Sequence, residues 1–173
     1  MSRRDEIVAV ARVMVERDGL DALTMRGVAE ELGIRAPSLY KHVGGRDEIL
    51  TLVQASLVEE FGRLMSDARA GPSGGISAMA VAYRAWALEH PALYNLMMRH
   101  PLDRGLLPPG LESTAEAPVL AAAGDDRDTA RALWAVAHGL VDLELAGRFP
   151  PDADLDGAWE AAMTAFGGTW VRR

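Results

Sequence analysis

The feature that most constrains this chain is a three-residue break, Gly33-Ile34-Arg35, between two apolar patterns of helical period. Before it, Met25 to Leu32 sets Val28, Ala29 and Leu32 on one face, with Thr24 placed to cap the first amides. After it, Pro37 suits the first turn of a helix, and Leu39 and Val43 share a face four residues apart. Gly44-Gly45 ends that second segment. Two helices of about two turns each, joined by a glycine-containing turn, are the signature of a helix-turn-helix.

Charge sharpens the reading. Residues 1–50 hold 8 Lys/Arg against 9 Asp/Glu, and residues 51–173 hold 10 against 16. From Ile34 to Arg46, however, the chain carries Arg35, Lys41 and Arg46, with His42 beside them, and no acid. An acid-free basic segment on a short helix of an acidic protein points to a local phosphate-facing surface. Ser38, Tyr40, Lys41 and His42 add groups able to reach phosphates or base edges. The formal charge of -7 excludes a general nucleic-acid coat, so DNA contact has to be local and oriented.

The residues Leu23, Thr24, Val28, Ala29, Leu32, Gly33 and Ile34, then Pro37, Ser38, Leu39, Tyr40, His42 and Val43, then Arg46, resemble the DNA-binding domain of TetR-type transcriptional repressors. That family's pattern is a Leu-Thr-x-x-x-Val-Ala-x-x-Leu-Gly-Val block, a small-residue/Leu-Tyr-x-His/Tyr-Phe/Val block, and a basic residue opening a long helix. The resemblance implies that Arg26 reaches base edges or phosphates. It maps Arg35, Ala36, Pro37, Ser38, Tyr40, Lys41 and His42 to the recognition-helix region. Tyr40 is implied to hydrogen-bond a phosphate, and Arg46 to sit where a helix start attracts one. His42 is open between a phosphate contact and a packed or merely exposed histidine. Ala36 departs from the polar residue many relatives carry nearby. Arg3 and Arg4 are open between a loose phosphate-touching arm and a solvated start.

The rest of the chain reads as helices. Arg3 to Asp18 places Ile7, Ala11, Met14 and Val15 at helical spacing, with Gly19 as a stop. Arg46 to Ala70 is a long amphipathic helix that ends at Gly71-Pro72-Ser73-Gly74-Gly75. Ile76 to Arg99 is a helix pair bent at His90-Pro91, and His100 to Gly110 is a proline-rich loop. Glu112 to Ala123 returns to helix, with Pro118 arguing against a single uninterrupted one. The expected organisation is all-α: a three-helix DNA-binding domain over residues 1–48, then a helical effector-binding and dimerisation domain over 49–173.

Asp128 to Gly147 is apolar over most of its circumference, and Asp154 to Val171 carries a stripe of Trp159, Ala162, Met163, Phe166 and Trp170. A helix apolar on two sides must be covered on both. These two helices therefore read as half of a four-helix homodimer interface, with a buried monomer core as the alternative. Trp134, His138 and Asp142 recur every four residues. Trp134, His138 and Gly139, with Tyr94 and His90-Pro91 upstream, resemble a subgroup of TetR-type regulators with a Trp-His-Gly signature. Tyr83, Trp86, Tyr94, Met97, Met98, Trp134, His138 and Asp142 are the candidate effector-pocket residues, against ordinary core packing as the other reading.

An enzyme is the competing class. The histidines form no metal-ligand pair, and no cysteine, phosphate loop or nucleophile elbow occurs, so neither a cofactor nor a metal is expected. A carrier that kept a pocket but lost DNA binding is the third class. No run approaches the length a membrane span needs, so a soluble cytoplasmic protein is expected. The resulting expectation is a homodimeric repressor on a palindromic operator, released by a small-molecule effector.

Overall fold

The computed structural model describes residues 2–72 and 74–166. Among them the regular elements are helices, named α1 (Arg3–Asp18), α2 (Met25–Glu31), α3 (Ala36–Leu39), α4 (Arg46–Ala70), α5 (Ile76–Glu89), α6 (Pro91–Arg99), α7 (Leu111–Ala122), α8 (Arg127–Leu145) and α9 (Leu155–Ala165). One-turn 3-10 segments lie at Leu20–Ala22 and Arg104–Leu106. No helix among the described residues is long and apolar enough to cross a membrane. Packing divides the chain into two units, Met1–Glu59 with His90–Leu111, and Glu60–Glu89 with Glu112–Arg173.

In the first unit the periodicity of α1 holds: Ile7, Ala11, Met14 and Val15 are its buried residues. Its start is built differently from a loose arm. Ser2 caps the helix by accepting from the Asp5 amide, and the Asp5 carboxylate accepts from the Ser2 amide at 2.7 Å. Arg3 pairs with Glu6 at 2.6 Å, and Arg4 pairs with Glu48. This unit reaches beyond residues 1–48, because α6 packs on α1. His90 meets Glu16, and the buried Gln54 donates to the carbonyls of Leu96 and His100, both at 3.0 Å. The segment between 49 and 59 and α6 thus share the core of the helix-turn-helix.

In the second unit α5, α8 and α9 pack on one another. Arg84 of α5 donates to Glu144 at 2.8 Å and to Asp156 at 2.6 Å, and lies over the Trp159 ring at 5.7 Å. The Glu144 carboxylate, more than Asp156, pushes the guanidinium's affinity for its proton further up. Pro118 does not divide α7, which runs unbroken through it. The ring forfeits one backbone bond, toward Thr114, an exposed residue whose carbonyl water can reach. The helix expected over 128–147 spans Arg127–Leu145, with the Asp126 side chain accepting from the Asp128 amide. The helix expected over 154–171 is α9, Leu155–Ala165; Trp170 and Val171 lie outside the described residues.

Gly62 of α4 lies so close to α7 that a β-carbon there would come within 2.9 Å of the Ala115 backbone. On helix propensity alone, Gly62→Ala would stabilise by about 1 kcal/mol. The close approach reverses the sign, because a backbone atom cannot rotate away. Gly62→Ala should lower the unfolding free energy by about 1–2 kcal/mol in urea titration, and a rise would show that the two helices give way.

Candidate functional site

The helix-turn-helix is assembled from local rules. Thr24 accepts from the Gly27 amide at 3.0 Å and so caps α2. At the other end Gly33 adopts φ +65°, and the Ile34 amide reaches back to the Ala29 carbonyl at 2.9 Å. That left-handed step is one that a residue with a β-carbon resists. Arg35 is extended and leads into α3, whose first residue is Ala36 rather than Pro37.

The recognition segment is less helical than the pattern over Pro37–Val43 implied. Regular helix stops at Leu39, and Tyr40, Lys41 and His42 form a turn. Their backbone tightens because the amides of Lys41 and His42 bond three residues back, to Ser38 and Leu39. Leu39 and Val43 are buried and anchor this turn. Tyr40 is 56% exposed despite its large ring, and Lys41 and His42 are exposed beside it. Arg35 and Pro37 are exposed too, while Ala36 and Ser38 are half-buried.

The cations sort into two groups. Arg35 and Lys41 make no side-chain hydrogen bond or ion pair among the described residues. Arg26 is also exposed, but its Nε donates to Glu30 at 2.7 Å, which favours its charged form further. Arg46 faces inward instead. Its Nε donates to the Leu23 carbonyl at 2.8 Å and its Nη2 to the Leu20 carbonyl at 2.9 Å. The structure therefore exposes Tyr40, Lys41 and His42 on the turn after α3 and Arg35 on the segment before it, and uses Thr24 and Arg46 to hold α2 and α4 in place.

The second unit contains a cavity of about 330 Å³, counting its open mouth. α4 supplies Phe61 and Met65, and α5 supplies Ile76, Met79, Ala80 and Tyr83. The far walls are Val119 of α7, Leu133, Trp134 and Ala137 of α8, and Met163 of α9. Phe61, Tyr83 and Trp134 form an aromatic triangle with centroids 5.2–5.5 Å apart. Of the eight expected pocket residues, Tyr83 and Trp134 line this space. Trp86 is turned to Glu60, to which its indole nitrogen donates at 3.0 Å. Tyr94, Met97 and Met98 belong to the first unit, where Tyr94 is wholly buried. His138 and Asp142 of α8 are half-buried but are not part of the cavity wall. Phe61, Met65, Met79 and Met163 were legible only as stripe residues of their helices.

Comparison with known proteins divides the chain by sequence, so that α6, which packs in the first unit, falls within the C-terminal match. Residues 7–53 match the model of bacterial regulatory proteins of the tetR family. Residues 76–166 match a tetracyclin repressor-like C-terminal domain. An uncharacterised HTH-type transcriptional regulator of Mycobacterium tuberculosis is 32% identical over 98% of this chain and 82% of its own length. An HTH-type transcriptional regulator of Saccharopolyspora erythraea is 36% identical over 57% of this chain, which there spans 42% of the relative. Among solved structures, the multidrug binding protein EbrR complexed with ethidium superposes with a TM-score of 0.71 at 24% identity, over 94% of this chain and 98% of that one.

The inward placement of Arg46 makes its removal a stability defect. Arg46→Met keeps the apolar stem but removes both bonds. The Leu20 carbonyl retains the Leu23 amide while the Leu23 carbonyl loses its Arg46 donor, so thermal unfolding should lose about 1–3 kcal/mol. Lys41→Ala should leave the unfolding midpoint unchanged. Equal midpoints for both variants would remove the structural role given to Arg46.

Proposed function

We propose that this chain, which belongs to the TetR family of bacterial regulatory proteins, is a cytoplasmic homodimeric repressor released from a palindromic operator by a small-molecule effector. The observation that carries the reading is the exposed turn Tyr40-Lys41-His42, held out by the buried anchors Leu39 and Val43. A large aromatic ring has no packing reason to lie 56% exposed there. Its hydroxyl, with Lys41 and Arg35, is suited to phosphates, and α3 with its turn is suited to a major groove. Arg26 joins them if DNA phosphate displaces Glu30 from its guanidinium.

Dimerisation is supported by α8. Leu133, Ala137 and Val141 are buried within the chain, while Val136 and Leu143 on the other side remain 37% and 44% exposed. A second copy applying α8 and α9 would cover them. Two symmetric recognition turns then require an operator with matching two-fold symmetry. The cavity supplies the effector site. In the neighbour EbrR a ligand, ethidium, is bound by a protein of this fold. For the ligand to release DNA it must bind the DNA-incompetent state more tightly than the competent one.

The test is anisotropy of a fluorescent duplex from the gene's own upstream region, titrated across salt. With about six phosphates contacted, the log–log slope should be roughly -5, and a scrambled duplex should bind far more weakly. Tyr40→Phe and Lys41→Ala should each weaken operator binding with unchanged thermal stability, and Lys41→Ala should flatten the slope by about two across the dimer. Wild-type affinity in both variants would discredit the assignment. Absence of any specific site in genomic-fragment selection, with and without added ligands, would favour a carrier that retains only the cavity.

A further inference from the structure

We infer that the cavity of the second unit selects an uncharged aromatic molecule, and discriminates against organic cations and anions of the same shape. This rests on the effector-site reading above and narrows it to a chemical class. Among the described residues, none of the side chains lining the cavity carries a charge at neutral pH. The charged groups nearest in sequence are committed elsewhere. Arg84, which follows Tyr83, is clamped between Glu144 and Asp156. Glu60, which precedes Phe61, accepts the Trp86 indole hydrogen. A charged ligand entering this space would shed its hydration and meet no counter-ion, which is the costliest form of burial.

The three aromatic rings do not overturn that argument. A cage for organic cations turns ring faces toward the ligand. Here the Phe61 ring stands at 83° to Tyr83 and at 77° to Trp134, so ring edges meet ring faces within the cluster. The negative faces are partly answered by neighbouring positive edges before a ligand arrives. A neutral ring extends the same edge-to-face pattern. Met65, Met79 and Met163 surround it with unbranched thioethers, which adapt to an irregular outline and favour contact with aromatic edges. The figure of about 330 Å³ counts open solvent at the mouth together with the space between the walls.

The experiment compares three single-ring probes of nearly equal shape, namely toluene, benzoate and benzylammonium, by calorimetric titration of the full chain at neutral pH. Toluene should bind with an affinity roughly tenfold or more above either ion. Ala80→Phe and Ala137→Leu, which fill the space from different helices, should each weaken toluene binding; the probe comparison on wild type stands even if one variant fails to fold. Binding of either ion as tightly as toluene, or no toluene binding at all, overturns the inference. Operator anisotropy in the presence of toluene separates the two claims. Toluene binding with unaltered operator affinity keeps the chemical class and removes the switch. Preference for an ion, with operator release by that ion, keeps the switch and removes the class.

Discussion

One continuous helix furnishes a wall to both hydrophobic cores, and the rest of the structure depends on its apolar stripe. α4 buries Ile49, Leu50, Val53 and Leu57 in the unit that carries the helix-turn-helix, and Phe61 and Met65 in the unit that carries the cavity. At 25 residues it is far longer than its own propensity requires, and most of its stability comes from that packed face. Its first residue, Arg46, fastens it to the Leu20 and Leu23 carbonyls. The single glycine in its interior, Gly62, admits α7 at near-backbone distance. A substitution on this stripe acts on the core that its position faces.

In this acidic chain several cations of the first unit are held in ion pairs. Acids on the helix-turn-helix are placed against specific cations. Glu31 and Asp18 hold Arg17, Glu30 holds Arg26, and Glu48 holds Arg4. Such exposed pairs contribute little to stability. Their effect is to mute the cations outside the turn, leaving Arg35 and Lys41 as unmuted charges beside Tyr40.

How much of this was legible in the chain depended on whether a feature is local. The buried face of α1, the Thr24 cap, the Gly33 turn, the bounds of α4 and the bend at His90-Pro91 are all set by residues within a few positions of one another. Helical period and cap chemistry therefore reveal them. Periodicity marks which face is buried but not what buries it. Tyr94 was read correctly as an inward residue and placed in the wrong core, because α6 returns to α1 instead of joining α5 and α8. The same gap hid the inward turn of Arg46, whose partners lie 23 and 26 residues back. It also hid the membership of Phe61 and Met163 in one cavity wall. Tyr83 and Trp134 line the cavity while Trp86, also buried on α5, turns to Glu60, a difference the helical period does not show.

The cavity's walls are tied to one another by polar bonds set behind the apolar lining. Arg84 joins α5 to α8 through Glu144 and to α9 through Asp156, and Trp86 joins α5 to α4 through Glu60. These groups are partly buried, so each bond is stronger than its solvent-exposed counterpart and breaking one would strand a charge or an indole hydrogen. A pocket lined only by apolar groups has no internal hydrogen bonds to fix its width. Without such an outer frame it would collapse onto itself or fluctuate among shapes. The frame lets an apolar space persist without a guest, which lowers the ordering cost when one binds.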